Sequence, residues 1–237
     1  MFWKYLIVVI ISYFVGNISF ARIISKFIKE DITQKGSGNP GTMNMMRSFG
    51  FKLGLLTLFL DALKGSIGAL FGFFVLGGAS AVPDCYIGMY VGGLSTILGH
   101  IYPVLYNFKG GKGVATTLGL FMVANPLWTG ISFVFCFFYL LFFDYGSVAS
   151  FILITTLTVV ESVKHGGNVA ISIMLFAIFF FTWFAHRQNI LRLLLGKENK
   201  VNFRKSLQKL QRKKFGKEQA KLIDKEKKKE EKEKSIG

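Results

Sequence analysis

Long runs of hydrophobic residues, separated by short polar segments, dominate the chain. The runs lie at residues 2–21, 51–76, 85–101, 114–124, 126–143, 147–163 and 169–185. A membrane-spanning helix needs about 20 apolar residues, and most of these runs come close to that length. The pattern therefore predicts an all-α polytopic membrane protein. Only the run 114–124 is clearly too short to cross a bilayer alone.

Glycine, proline and polar clusters separate the runs. Proline lacks an amide hydrogen and disfavours helix in the residue before it, so Asn125-Pro126 predicts a break between two helices. The other breaks fall at Gly77-Gly78, Asp144-Tyr145-Gly146 and Lys164-His165-Gly166-Gly167. The first run lacks a small-residue cleavage site, which favours a retained helix over a removed signal peptide.

Positive charge is concentrated in the segment 22–52 and in the C-terminal region. The first of these holds Glu30 and Asp31 against the basic residues Arg22, Lys26, Lys29, Lys35, Arg47 and Lys52. Both regions are expected in the cytoplasm by the positive-inside rule. An even number of spans must then separate them, so 114–124 and 126–143 must be separate spans. We therefore predict seven transmembrane helices with the N-terminus outside, and a short helix 114–124 buried among its neighbours.

The charge distribution also divides the chain into two parts. We predict a membrane-embedded domain at residues 1–199 and a basic cytoplasmic tail at residues 200–237, helical or disordered. Within the tail, Phe203, Leu207 and Leu210 have helical spacing, so this piece is expected to lie on an anionic leaflet. Basic and aromatic residues do not alternate there, which argues against nucleic-acid binding.

Metal and thiol chemistry find no support in the sequence. Cys85 and Cys136 have no paired spacing and are expected to be unbridged apolar thiols. The histidines are isolated, and neither His-Glu-x-x-His nor Cys-x-x-Cys occurs. We therefore predict no metal and no cofactor.

The predicted topology places three polar loops, at residues 36–50, 99–116 and 186–198, on the cytoplasmic face. A single composite site is the simplest explanation for this clustering. In the first loop the glycines permit a backbone nest and Arg47 can bind a phosphate through two donors. A flexible turn that caps the next helix is the alternative interpretation of this loop.

The second loop contains Lys109-Gly110-Gly111-Lys112-Gly113 and leads directly into an apolar run. Backbone amides, two lysines and a helix N-terminus can converge on an anion there. The loop is not a Walker A motif, because Tyr106 occupies the leading glycine position and Gly113 replaces the Ser/Thr after lysine. His100 is either part of this site or a structural histidine.

The third loop begins at His186. On a continuing helix His186 and Asn189 share one face, although a basic cap that fixes topology is the alternative. Within the second run, Asp61 and Lys64 lie one turn apart. Intramembrane charges are costly unless paired, so we expect an ion pair that supports the site from beneath.

Together the loops closely resemble the motifs of the bacterial acyl-phosphate:glycerol-3-phosphate acyltransferase family. The first motif matches at Ser37, Gly38, Asn39, Gly41, Asn44 and Arg47, with Met43 at a threonine position. The second matches at Gly99, His100 and every residue of 109–116. The third matches at His186, Asn189, Ile190, Arg192, Leu193, Gly196 and Glu198, and Asp61, Lys64 and Gly65 fit as well.

The resemblance implies a seven-helix plasma-membrane enzyme with a cytoplasmic active-site face. Its substrates would be acyl phosphate and glycerol 3-phosphate, and its product lysophosphatidic acid, acylated at the sn-1 hydroxyl. The thioester-dependent acyltransferases use a His-x4-Asp pair instead. That pair is absent, because Leu105, Ala170 and Leu191 stand five residues after the three histidines.

The resemblance also implies roles for the loop residues. His186, Asn189 and Lys112 would be catalytic, with His186 holding phosphate or acting as a base. The substrate-binding residues would be Ser37, Gly38, Asn39, Asn44, Arg47, His100, Lys109, Gly110, Gly111, Gly113 and Thr116. A transporter of organic phosphates would also use helix-terminal anion sites, but near the bilayer midplane. A purely structural membrane protein is the third possibility.

Overall fold

The computed structural model describes residues 2–77, 82–208 and 210–212, with side chains from residue 86 onward in the second range. Over these residues the chain forms helices and turns and no strand. The helices are α1 Phe2–Asn17, α2 Phe20–Phe27, α3 Thr42–Phe49, α4 Phe51–Leu76, α5 Val82–Ile101, α6 Val114–Ala124, α7 Pro126–Phe143, α8 Gly146–Lys164, α9 Val169–Ala185 and α10 Arg187–Leu194. Two 3-10 turns, Ile32–Gln34 and Val104–Tyr106, and a helical segment at residues 203–208 complete them.

Several helix ends follow directly from local sequence. Asn125 accepts a hydrogen bond from the amide of Trp128 at 3.4 Å, and Pro126 takes the first helical position of α7, where its missing N–H costs nothing. Asp144 ends α7 in the left-handed conformation, with φ at 63°. Asn168 caps α9 through the amide of Ile171 at 3.1 Å. The predicted breaks at these positions are confirmed; the break at Gly77-Gly78 extends beyond the described residues.

Within the described part of the chain, four helical stretches are long and apolar enough to cross a membrane: residues 2–27, α4, α7 and α8. A fifth is present if α9 and α10, which bend by 56° at His186, count as one span. The seven-span topology and the outside N-terminus therefore stay predictions. At 1.5 Å per residue, α6 reaches only about half the thickness of a bilayer core.

Backbone close approaches at glycines hold the central helices together, as is common between membrane helices. Gly72 faces the carbonyl of Gly88, and Gly119 faces the carbonyl of Ala62, so closely that an added Cβ would clash in either place. These contacts pack α5 and α6 directly onto α4. Most of α6 is buried, including Thr116, Leu120 and Phe121, which confirms that the short helix lies among its neighbours.

A buried carboxylate joins the ends of α5, α6 and α8 that lie far from the polar loops. Glu161 is fully buried and accepts hydrogen bonds from Tyr90 and, at 2.8 Å, from Asn125. His165 lies 3.4 Å from the same carboxylate. The cluster fixes the Asn125-Pro126 break against its neighbours, which is a structural role.

The start of the predicted tail packs differently from the expectation. Phe203 is buried, with its ring 5.6 Å from those of Phe51 and Phe137. Leu207 packs against the same core. The prediction that Phe203 and Leu207 lie on a leaflet is therefore wrong, because the helix bundle itself covers their apolar side. Residues 213–237 lie outside the described part of the chain.

Candidate active site

The three polar segments meet at one cavity of about 110 Å³. Eight of the predicted site residues line it: Ser37, Asn39, Asn44, Arg47, His100, Lys112, His186 and Asn189. Each segment contributes at least two of them, although 48 and 69 residues separate the successive segments in sequence. The predicted composite site is therefore present as a geometric feature.

The first segment is shaped by Asn44 rather than by a free glycine nest. The side-chain oxygen of Asn44 accepts from the amide of Ser37 at 3.0 Å, and its nitrogen donates to the carbonyl of Lys35 at 2.9 Å. Gly36 and Gly38 have positive φ, at 57° and 70°, which lets the chain turn around this amide. Asn44 thereby holds Ser37 at the cavity wall.

Residues 42–49, expected to be loop, form helix α3, which presents Arg47 to the cavity. The guanidinium makes long contacts with the carbonyls of Lys200 at 3.3 Å and Asn199 at 3.5 Å. Partial burial lowers the pKa of Arg47, Glu198 opposes that change, and Arg192 adds to it. Since arginine stays protonated in proteins, Arg47 supplies a permanent cation.

In the second segment, the glycines allow the loop to pack against His100. The amide of Gly111 donates to the carbonyl of His100 at 3.0 Å, and a Cβ at Gly110 or Gly111 would clash with His100. Gly113, with φ at 83°, then starts α6. Val114 and Ala115 line the cavity. The unpaired first-turn amides of α6 therefore lie at its edge, a favourable place for an anion.

Lys112 connects this segment to the third. Its ammonium donates a hydrogen bond to the side-chain oxygen of Asn189. Burial lowers the pKa of Lys112 to about 8; the positive charges of Arg192 and Arg47 act in the same direction, and Glu198 opposes them. A bound phosphate would add negative charge beside Lys112 and so favour its protonated form.

The third segment is bent at His186 instead of continuing as one helix, which corrects the expectation. The Nδ1 atom of His186 lies 2.8 Å from the carbonyl of Thr182. A carbonyl only accepts hydrogen bonds, so in the neutral ring Nδ1 carries the hydrogen and Nε2 is left with a lone pair. His186 and Asn189 still share the cavity, because the bend turns α10 across the end of the bundle.

Glu198 fastens the end of this segment. Its carboxylate accepts from Asn189 at 2.6 Å and from Arg192 at 2.9 Å. Burial alone would raise the pKa of Glu198, but hydrogen bonds from Asn189 and Arg192, together with the nearby Ser147 hydroxyl, hold it below its usual value. Asn189 therefore donates to Glu198 while it accepts from Lys112, which fixes the orientation of its amide.

Beneath the cavity, Asp61 and Lys64 form the predicted ion pair at 2.9 Å, and both are only 2% exposed. Lys64 also donates to the carbonyls of Gly16 at 3.2 Å and Ile18 at 2.6 Å. Asp61 lines the cavity and lies 3.8 Å from His100. The pair thus connects the floor of the site to the end of α1.

A model of the family described as glycerol-3-phosphate acyltransferase matches residues 6–196. The chain belongs to this family. It is 37% identical over 203 residues to glycerol-3-phosphate acyltransferase of Finegoldia magna, covering 85% of this chain and 98% of that one. It is 39% identical to that of Aquifex aeolicus, covering 83% and 99%.

The fold agrees with this acyltransferase family. A crystal structure of PlsY (YgiH), an integral membrane glycerol 3-phosphate acyltransferase, in its glycerol 3-phosphate form superposes with a TM-score of 0.71. The two sequences are 35% identical, and the match covers 83% of this chain and 94% of that one. The lysophosphatidic acid form of the same protein gives a TM-score of 0.70. This chain is thus an integral membrane protein of the acyltransferase family.

Six residues predicted for the acyltransferase site do not line the cavity: Gly38, Lys109, Gly110, Gly111, Gly113 and Thr116. The glycines among them shape the loops whose other residues line the cavity. Lys109 is exposed, and its carbonyl accepts from Arg22 at 2.7 Å. Thr116 is buried on the side of α6 that faces Gly65 of α4.

The cavity also has polar lining residues that the prediction omitted: Thr42, Asp61, Ser147, Ser150, Arg192, Glu198 and Asn199. Arg192 and Glu198 belong to the third motif, so the motif could have indicated them. Ser147 and Ser150 are polar residues one turn apart at the start of an otherwise apolar span. That position next to the Asp144-Tyr145-Gly146 turn is the one signal that could have found them.

Proposed function

We propose that the protein transfers a fatty acyl group from acyl phosphate to the sn-1 hydroxyl of glycerol 3-phosphate, the first acylation step of phospholipid synthesis. The convergence of Arg47, Lys112 and the α6 N-terminus on one cavity that also contains His186 and Asn189 carries this proposal. Membership in the acyltransferase family supports it. The active-site face would be cytoplasmic, in a plasma-membrane protein with seven spans and its N-terminus outside.

The reaction needs no cofactor. The hydroxyl oxygen of glycerol 3-phosphate attacks the carbonyl carbon of the mixed anhydride, and the bond from that carbon to the phosphate oxygen breaks. Lysophosphatidic acid and inorganic phosphate leave, and the hydroxyl proton ends on the phosphate or on water. Because phosphate is a good leaving group, orientation and charge stabilisation can supply most of the rate.

The two phosphates are proposed to bind to Ser37, Arg47, Lys112, His186 and Asn189, with exposed Lys109 at the rim. Gly110, Gly111 and Gly113 were predicted to offer amides to the acyl phosphate. The amide of Gly111 already donates to His100, so this part of the proposal now depends on Gly110, Gly113 and the first turn of α6. The acyl chain would lie in the lipid or in a groove between helices.

Purified protein given acyl phosphate and glycerol 3-phosphate tests the proposal directly. We expect release of phosphate together with lysophosphatidic acid acylated at sn-1, both of which mass spectrometry and product analysis can follow. Glycerol should not replace glycerol 3-phosphate, because it offers Arg47 and Lys112 no anion. An acyl thioester should not replace acyl phosphate. Flux of glycerol 3-phosphate into liposomes without any acyl transfer would contradict the proposal and favour a transporter.

The orientation needs a separate experiment. Single cysteines introduced at exposed Lys109 and at Val163, in a chain lacking Cys85 and Cys136, should be labelled from opposite sides of sealed vesicles. Lys109 lies in the same loop as the cavity residue Lys112, whereas Val163 is exposed at the other end of α8, near Glu161. Labelling of both from one side would contradict the proposed topology without bearing on acyl transfer.

A further inference from the structure

The chain continues past residue 196, where the family match ends, and its next residues return to the cavity. Asn199 and Val201 line the cavity wall. Val201 is 1% exposed and Phe203 is 4% exposed. Residues 199–203 form a C-terminal strap that closes part of the site. This strap follows residues 6–196, the part of the sequence that the family model matches.

Asp144, at the turn between α7 and α8, fastens the strap by two hydrogen bonds. Its backbone carbonyl accepts from the amide of Val201 at 2.9 Å, and its side-chain Oδ1 accepts from the amide of Phe203 at 2.6 Å. A carboxylate acceptor makes the second bond stronger than a neutral one. The left-handed conformation of Asp144, which Asp and Asn adopt more readily than most residues, lets one turn present both oxygens.

Apolar contacts complete the attachment. The ring of Phe203 packs edge-on against Phe51 of α4 and Phe137 of α7. The side chain of Val201 packs against Gly146, where an added Cβ would lie only 3.0 Å from the Cγ2 atom of Val201. The strap is therefore anchored to three helices that do not themselves contain Arg47.

The strap in turn contacts Arg47. The Nε and Nη2 atoms of Arg47 point at the carbonyls of Lys200 and Asn199, respectively. A free arginine side chain loses rotamer entropy when it is fixed. Because the strap carbonyls already restrain the guanidinium, less of this entropy is left to be lost when substrate binds.

We propose that Asp144 and Phe203 are positioning residues: by fastening the strap, they hold the guanidinium of Arg47 at the cavity, ready for the phosphate of glycerol 3-phosphate. This inference rests on the proposed function for the identity of the anion. It adds a role for a segment that follows the matched family region.

Two substitutions at Asp144 in the full-length chain form the central experiment. Both Asp144→Gly and Asp144→Asn tolerate the left-handed backbone, but only Asn keeps a side-chain oxygen for the amide of Phe203. We expect Asp144→Gly to raise the KM for glycerol 3-phosphate about fivefold or more, with kcat changed less than about twofold. Asp144→Asn should stay close to the wild type.

Phenylalanine variants provide the matched control. Phe203→Ala should raise the same KM, whereas Phe142→Ala should not, because Phe142 is 78% exposed on the outside of α7. Thermal unfolding in detergent shows whether each variant is folded. An unchanged KM in both folded Asp144→Gly and folded Phe203→Ala would overturn the proposal.

The coupling to Arg47 decides whether the strap acts through that residue. In an Arg47→Ala background, Asp144→Gly should cause no further rise in KM, whereas independent effects would multiply. Multiplying effects would overturn the proposed route. If the wild type transfers no acyl group, the proposed function fails separately, and calorimetric affinities for glycerol 3-phosphate then test the strap in the same variants. Equal affinities would overturn it.

Discussion

Lys112 donates a hydrogen bond to Asn189, although the two residues lie 77 positions apart in the sequence. Asn189 donates in turn to Glu198, which also accepts from Arg192. This chain of contacts joins the glycine-rich loop to the segment after α9. The cavity is lined by the cations Arg47, Lys112 and Arg192 and by the carboxylates of Asp61 and Glu198. Glu198 pairs with Arg192 and Asp61 pairs with Lys64. Among the described residues, the charges of Arg47 and Lys112 have no carboxylate in salt-bridge contact, so an anion is the ligand that the charges favour.

The lowered pKa of Lys112 predicts a pH dependence of binding. Lysine loses its charge as the pH rises through the pKa, which burial has brought to about 8. The value of kcat/KM for glycerol 3-phosphate, which reports the free enzyme, should therefore fall about tenfold per pH unit well above pH 8. The substrate phosphate, with a second pKa of about 6, stays fully charged over that range.

The matched variant for this profile is Lys112→Arg, because arginine remains protonated throughout. At pH 7 the kcat/KM of this variant should be lower than that of the wild type, since the planar guanidinium does not fit the contact that Lys112 makes with Asn189. Between pH 8 and pH 10 its kcat/KM should not fall. A wild-type profile that stays flat over this range, measured with the same acyl phosphate, would show that Lys112 does not bind the phosphate as a cation.

His186 is predicted to hold phosphate as an imidazolium rather than to remove the hydroxyl proton. The neutral ring presents only a lone pair at Nε2, and a bound phosphate dianion favours the protonated ring, which can donate from that atom. We expect His186→Ala to raise the KM for glycerol 3-phosphate while most of kcat is retained, because acyl phosphate is already activated. Steady-state kinetics with both substrates varied separate the two parameters. A general base typically contributes 10²- to 10⁴-fold, so a fall in kcat of about a hundredfold or more would identify His186 as the base instead.

The helix positions were largely predictable from the sequence. The run 126–143 coincides with α7 because Pro126 and the Asp144 turn mark its ends, and those signals are local. Helix α3 was missed because its segment, Thr42–Phe49, follows Gly-Ser-Gly-Asn-Pro-Gly and is too short to show an apolar period. The bend at His186 was missed since no proline or glycine marks it.

The site was predictable only in part. The motifs and the charge distribution indicated which loops meet, and eight of the predicted residues do line the cavity. The attachment of Val201 and Phe203 to Asp144 was not predictable, because it depends on a contact between residues far apart in sequence. The role of Gly110 and Gly111 in packing against His100 was hidden for the same reason.

The buried pair of Asp61 and Lys64 predicts strong coupling in stability. Removing one partner leaves an uncompensated buried charge, so Asp61→Asn and Lys64→Met should each cost about 3–5 kcal/mol. The double variant should lose clearly less than the sum. Unfolding in detergent micelles measures all three, and Lys52→Met serves as the control because Lys52 is exposed on the same helix. Additive losses in the double variant would show that the two charges do not depend on each other.

The close packing of α6 on α4 predicts that alanine substitutions at two helical glycines, Gly119 and Gly130, have different effects on stability and activity. A Cβ at Gly119 would clash with the backbone of Ala62, which cannot rotate away, whereas a Cβ at Gly130 of α7 would have no atom within 4 Å. Gly119→Ala should therefore cost about 1–3 kcal/mol by overpacking. Because it pushes α6 away from α4, it should also lower kcat/KM through displacement of Lys112 and the first-turn amides.

Gly130→Ala should leave activity unchanged and stabilise the protein slightly, as alanine favours helix by up to about 1 kcal/mol. Thermal unfolding and kinetics on both variants check this, and similar results for the two would mean that close contact with α4 does not set the position of α6.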